Sequence, residues 1–270
     1  MSESSSSAPV ASGSLPGPGL LGLGLATNFF DTLGIGSYAT TTSVLKLGRM
    51  TADELIPGTL NVGHLAPVLL QTILFLSVIE VEMVTLVSMI VAGAVGAWFG
   101  AGIVASWPRR TVQRGMAMAL LFTALVITLR QLDVFPQGGD AIGLSDLALV
   151  VAVLSNALFG ALVSLGIGNY APCMAVVYSL GMSPRVAFPI MAGSAALMMP
   201  AAAYRFWKSG RLDRRIALGL ALGGLPGVLI ATYLVKELPV QYLLWIVVIV
   251  LLYTSATLWS SSKANAAAAA

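Results

Sequence analysis

Eight long apolar blocks, separated by short polar gaps, constrain this chain more than any other feature. They cover residues 20–47, 56–79, 83–107, 112–129, 144–180, 186–207, 216–235 and 240–259. A helix rises 1.5 Å per residue, so about 20 apolar residues cross the hydrocarbon layer of a bilayer. Six blocks fit one crossing each. The first and fifth are longer and are interrupted by Gly, Asn and Pro. Only 9% of the residues are charged, against about 25% in an ordinary soluble domain. That is too few to cover a surface facing water. The expected fold is an all-α polytopic membrane protein with lipid as its main solvent.

The net charge is +3, and the cations sit in the short gaps between apolar blocks. This placement suits loops against anionic lipid and gives no reason to expect a nucleic-acid partner. Cys173 and His64 are the single cysteine and the single histidine. One of each leaves no internal disulfide and no Cys/His zinc cluster to expect, and no cofactor is implied. Residues 1–19 are rich in Ser, Pro and Gly and lack a basic n-region. They read as a disordered tail, not a signal peptide. Residues 261–270, which end in an alanine run, are set aside as a second tail.

The remaining chain divides into two repeats, 20–132 and 144–260. Leu33-Gly34-Ile35-Gly36-Ser37-Tyr38-Ala39 matches Leu165-Gly166-Ile167-Gly168-Asn169-Tyr170-Ala171 at an offset of 132. Pro57 matches Pro189 at that offset, while Gly96 matches Gly227 and Pro108 matches Pro239 at 131. Each repeat is one interrupted segment followed by three ordinary transmembrane helices.

Charge counting bears on topology. If all eight blocks cross once, the Lys and Arg residues divide 7 against 7. If the first and fifth blocks are re-entrant, they divide 11 against 3, a positive-inside pattern. Three full crossings per repeat then make the second repeat inverted relative to the first. Both termini are expected to be cytoplasmic, in the inner membrane of a cell.

Irregular backbone survives in a bilayer only when it is buried in protein or lines a watery cavity. Paired Gly-interrupted segments at matching places in two halves point to the binding site of a transporter. Glycine permits a tight turn and the close approach of a ligand, and helix N-termini at such breaks suit an anion. The candidate substrate contacts are Gly34, Gly36, Ser37, Tyr38, Thr40 and Thr41 in the first repeat. In the second they are Gly166, Gly168, Asn169, Tyr170 and Cys173. The alternative is that the glycines serve close helix packing and the hydroxyls bond back to the preceding turn.

The second helix of each repeat adds Asn61 and Ser194, on a face that either closes the cavity or packs small residues. Asp31 and His64 are ionisable groups inside apolar blocks, where such groups are rare and usually functional. They are candidates for proton or ion coupling, with a helix cap and a satisfied core histidine as their structural alternatives. Arg109, Arg110 and Arg114, and the stretch from Arg205 to Arg215, read as basic loops that set orientation.

These residues resemble the TauE/SafE group of sulfite and organosulfonate exporters, from about residue 20 to residue 259. The resemblance rests on Gly34–Gly36 and Gly166–Gly168, the Leu-Gly turns at Gly48 and Gly181, and the helices that start at Pro57 and Pro189. Gly-Ile-Gly-Asn-Tyr-Ala-Pro, ending at Pro172, looks closest to the family pattern, and the first repeat has Thr40 in place of that proline. The resemblance implies transport of a small sulfur-containing anion such as sulfite, sulfoacetate or a related organosulfonate.

The expectation is therefore a membrane transporter, an exporter by that resemblance, and not an enzyme. It would alternate access around a midplane site between the repeats, and its oligomeric state stays open. Two other classes remain. An intramembrane hydrolase would have to build a Ser–His pair on His64, and neither Gly-x-Ser-x-Gly nor His-Glu-x-x-His occurs. A non-transporting scaffold or assembly subunit has no need of paired broken segments.

Overall fold

The computed structural model describes residues 15–34, 36–52, 55–104, 109–132, 139–163, 170–237 and 239–267. Among them the regular structure is helical, with no strand. The first repeat contributes α1 (Pro18–Thr32), α2 (Ser37–Leu47), α3 (Ile56–Gly63), α4 (Leu65–Val78), α5 (Met83–Val104) and α6 (Arg109–Gln131). The second contributes α7 (Asp146–Val163), α8 (Tyr170–Ser179), α9 (Ala187–Ser209), α10 (Arg214–Glu237) and α11 (Val240–Ala267). A 3₁₀ turn over Pro184–Val186 leads into α9.

The first apolar block breaks where expected. α1 ends after Thr32, and Gly34 and Gly36 take φ of +94° and +85° before α2 begins at Ser37. A side chain bearing Cβ is strained in that region, so the paired glycines make the break inexpensive. The matching glycines of the second repeat, Gly166 and Gly168, lie outside the described residues, as does Asn169.

Three features differ from expectation. The block over 56–79 is not one regular helix. It pauses at His64, whose φ and ψ are −92° and −5°. Pro67 explains the pause: it lacks an N–H, and its ring crowds the carbonyl of residue i−4, which is Gly63. The ladder resumes at once, since His64 donates to the Leu60 carbonyl and Val68 donates to that of His64, each at 2.9 Å. Next, the basic residues are mostly helical instead of forming loops. Arg205 and Lys208 close α9, Arg214 and Arg215 open α10, and Arg109, Arg110 and Arg114 open α6. Cations in the last turn of α9 face the negative end of its dipole. Finally, α11 continues past residue 259 to Ala267, helped by alanine, the strongest helix former.

Three stretches are long and apolar enough to cross a membrane: Ile56–Val78, Pro184–Ser209 and Arg214–Val235. Shorter apolar helices cover Met83–Phe99, Leu120–Leu129, Asp146–Ala161 and Leu244–Ser260. Large apolar side chains such as Ile73, Trp98, Phe122, Leu154 and Ile249 lie exposed. Water would penalise that surface and lipid does not. The protein is an all-α membrane protein.

The buried centre is the first half of α9, where every residue from Ala187 to Ser194 is buried. α9 packs against α3, α4, α5 and α8. α1 lies along α10, α5 along α7, and α6 along α11. Small residues bring two of these pairs together. A Cβ on Gly96 would strike the Ala157 carbonyl and one on Gly160 the Gly93 carbonyl. Across α1 and α10, Gly223 meets the Leu21 carbonyl in the same way. With lipid outside, close backbone packing of this kind replaces the hydrophobic effect between helices.

Candidate functional site

The break between α1 and α2 gathers buried polar groups. Asp31 sits in the last turn of α1 and is 4% exposed. Its Oδ1 accepts the Ser37 backbone N–H at 2.6 Å, across the break. The first turn of a helix leaves its N–H groups without intrahelical partners, and here the carboxylate answers one of them at the positive end of α2. The Ser37 side chain lies against the same carboxyl. From the other repeat, the Tyr170 hydroxyl at the start of α8 donates to Asp31 Oδ2 at 3.4 Å. These donors are neutral, and they come from both halves of the chain.

Gln71 of α4 is 1% exposed, and among the described residues neither atom of its amide has a hydrogen bond that meets ordinary geometry. It lies beside the Tyr170 hydroxyl. Among the described residues, no atom lies within 4 Å of where a Cβ on Gly36 would stand.

A second network fixes His64. Asn28 donates through Nδ2 to the Gly24 carbonyl at 2.8 Å, which turns its Oδ1 toward the imidazole. That oxygen lies 3.0 Å from His64 Nδ1 and can only accept, so Nδ1 carries the proton. In the neutral ring Nε2 then accepts from the Thr41 hydroxyl at 3.1 Å. The Tyr38 ring lies alongside, its centroid 5.8 Å from that of His64. His64 thus ties α1 to α2 at the junction of α3 and α4.

The remaining candidates fall elsewhere. Thr40 bonds back to the Gly36 and Ser37 carbonyls, and Asn61 donates to the Pro57 carbonyl of its own helix. Cys173 is fully buried in the apolar core, and Gly34 packs near Met174. Ser194 accepts from Asn156 Nδ2 at 3.2 Å, and the same amide donates to the Met89 carbonyl. That joins α5, α7 and α9 at a second place. An open, largely apolar groove lies between the end of α4 and the start of α5, lined by Leu76, Ile79, Met83, Val87 and Ile142. It is about 18 Å along the helix from His64.

Sequence reasoning passed over Asn28, Gln71 and Asn156. A signal for the first two was present. Asn28 precedes Asp31 by three residues, and Gln71 follows His64 by seven, spacings that share a helix face. An amide inside an apolar helix is itself a sign of interhelical bonding.

The arrangement can hold an anion in a dry place through neutral donors, without a lysine or arginine. The model of the sulfite exporter TauE/SafE family matches residues 147–269. Over those residues the chain is similar to the sulfite exporter TauE/SafE family. The TauE/SafE match takes in α8 with Tyr170 and Cys173, α9 with Ser194, and both long helices that follow. Neither a curated protein nor a solved structure matches the chain.

Proposed function

We propose that this protein is a transporter of a small sulfur-containing anion, such as sulfite, sulfoacetate or a related organosulfonate. The observation that supports this is the buried polar cluster at the α1–α2 break, where Ser37 of one half and Tyr170 of the other converge on the Asp31 carboxyl group. Groups that hold an aspartate this way have the chemistry to hold a sulfite or sulfonate oxygen.

The helix pairings support two halves related by a two-fold axis, and the 11 against 3 division of Lys and Arg supports the second being inverted. Exchanging the halves turns the α1–α10 contact into α7–α5 and the α4–α10 contact into α9–α5, while α6–α11 and α4–α9 map onto themselves. Alternating access then moves one half against the other around the break. With both termini in the cytoplasm of an inner membrane, an inside-negative potential favours anion export by about 2.3 kcal/mol per charge per 100 mV. Asp31 and His64 are the groups available to couple a proton or ion, and the surrounding partner is the bilayer.

The test is uptake into proteoliposomes with a panel of sulfite, sulfoacetate and simple carboxylates. Wild-type protein should carry at least one sulfur oxyanion. Gly36→Val should reduce that rate on the order of tenfold or more, because a side chain there stands beside the Ser37 donor. Undiminished transport in this variant would refute the site.

A further inference from the structure

The α2 N-terminus already holds a carboxyl group, and that group belongs to the protein. Asp31 lies six residues before Ser37, yet it reaches across the Gly34–Gly36 break to take the Ser37 N–H at 2.6 Å. It also takes the Tyr170 hydroxyl from a residue 139 positions away. A carboxylate and a sulfite present the same kind of oxygen to such donors. A second observation points to a ligand. The Gln71 amide is buried beside Tyr170, and among the described residues neither of its atoms has a hydrogen bond that meets ordinary geometry. Buried amides are almost always bonded, so this one has a donor and an acceptor to offer. The space beside Gly36, clear among the described residues, adjoins the same turn.

We infer that Asp31 is a tethered stand-in for the transported anion: in the empty carrier its carboxylate occupies the Ser37 and Tyr170 donors, and an incoming oxyanion displaces it from them. This rests on the transport reading above. Two like charges a few ångströms apart in a dry site repel strongly, so substrate and carboxylate exclude one another from the shared donors. The ionisable groups facing Asp31 are Tyr38 from α2 and Tyr170 from α8, and neither is a cation that would neutralise a second anion. Because Tyr170 belongs to the second repeat, displacing Asp31 also releases a link between the halves. Binding would thereby be joined to the motion that transport needs.

The experiment is sulfite binding to the full-length purified protein by calorimetry, in wild type, Asp31→Asn and Gln71→Leu. Asparagine keeps an acceptor for Ser37 and removes the competing charge. Asp31→Asn should bind sulfite on the order of tenfold tighter or more, and Gln71→Leu should bind it more weakly. A plain helix-capping role for Asp31 predicts no gain in affinity. An Asp31→Asn protein that elutes and melts like wild type yet binds sulfite equally or more weakly would overturn the inference. Should that variant not fold, the infrared difference spectrum of wild type with carboxyl-labelled aspartate decides. A carboxylate stretch that shifts on sulfite addition supports displacement, and an unchanged stretch overturns it. The two levels separate cleanly. Wild type that carries sulfite while Asp31→Asn gains nothing defeats only this inference. Wild type that carries and binds no member of the panel defeats the transport reading, and this inference with it.

Discussion

Replacing His64 with Ala is the most informative test of how the broken segment is held. The imidazole is 0% exposed and bonds Asn28 Oδ1 at 3.0 Å and Thr41 Oγ1 at 3.1 Å. Side-chain hydrogen bonds inside membrane proteins average about 0.6 kcal/mol, so the two together contribute about 1.2 kcal/mol. The cavity left by the ring adds about 1–2 kcal/mol, less than the roughly 2–5 kcal/mol of a large-to-alanine change in a close-packed core, because the Tyr38 ring alongside can settle into it. His64→Ala should therefore destabilise the protein by about 2–3 kcal/mol. The assay is reversible unfolding in mixed micelles or bicelles, run as a double-mutant cycle with Asn28→Ala. The coupling energy should be about 0.6 kcal/mol. A destabilisation under about 0.5 kcal/mol, together with no coupling, would show that the ring does not join α1 to α2.

Two further outcomes follow from local geometry. Gly160→Ala places a Cβ against the Gly93 carbonyl where α5 and α7 pack. It should cost about 1–3 kcal/mol as the helices are forced apart, read by the same unfolding assay. Glu82 caps α5: the Thr85 N–H and then the Val84 N–H hold its carboxyl below the ordinary value of 4.5. A lowered folded pKa means that this contribution is complete above that ordinary value and fades as pH falls through the lowered one. The Tm gap between wild type and Glu82→Gln should therefore shrink between about pH 7 and pH 3. A gap that is constant over that range would refute the cap.

Much of the fold was legible because composition and periodicity report the solvent. The apolar blocks announced lipid, and their interruptions announced breaks, since the positive φ at Gly34 and Gly36 is a property of glycine itself. The pause at His64 also has a local cause in Pro67, four residues past Gly63, although a smooth apolar run concealed it. The site was legible only in part. Asp31 stood out as a charge in an apolar block, and Tyr170 as part of a repeated motif, but nothing in either segment says that they touch. The hydroxyls show the limit from the other side. Thr40 and Thr41 are adjacent and chemically alike, yet one bonds its own helix and the other bonds His64.

What the sequence determined by itself is a helical membrane chain with a glycine break after its first helix, because residue type and spacing act locally and set both solvent and backbone conformation. What only the tertiary structure decided is the set of partners: Asp31 with Tyr170, His64 with Asn28, Gln71 left unanswered beside them. The physical reason is rotation. A turn of 100° per residue swings a side chain from lipid to core, and which way each helix is turned depends on every neighbour it packs against.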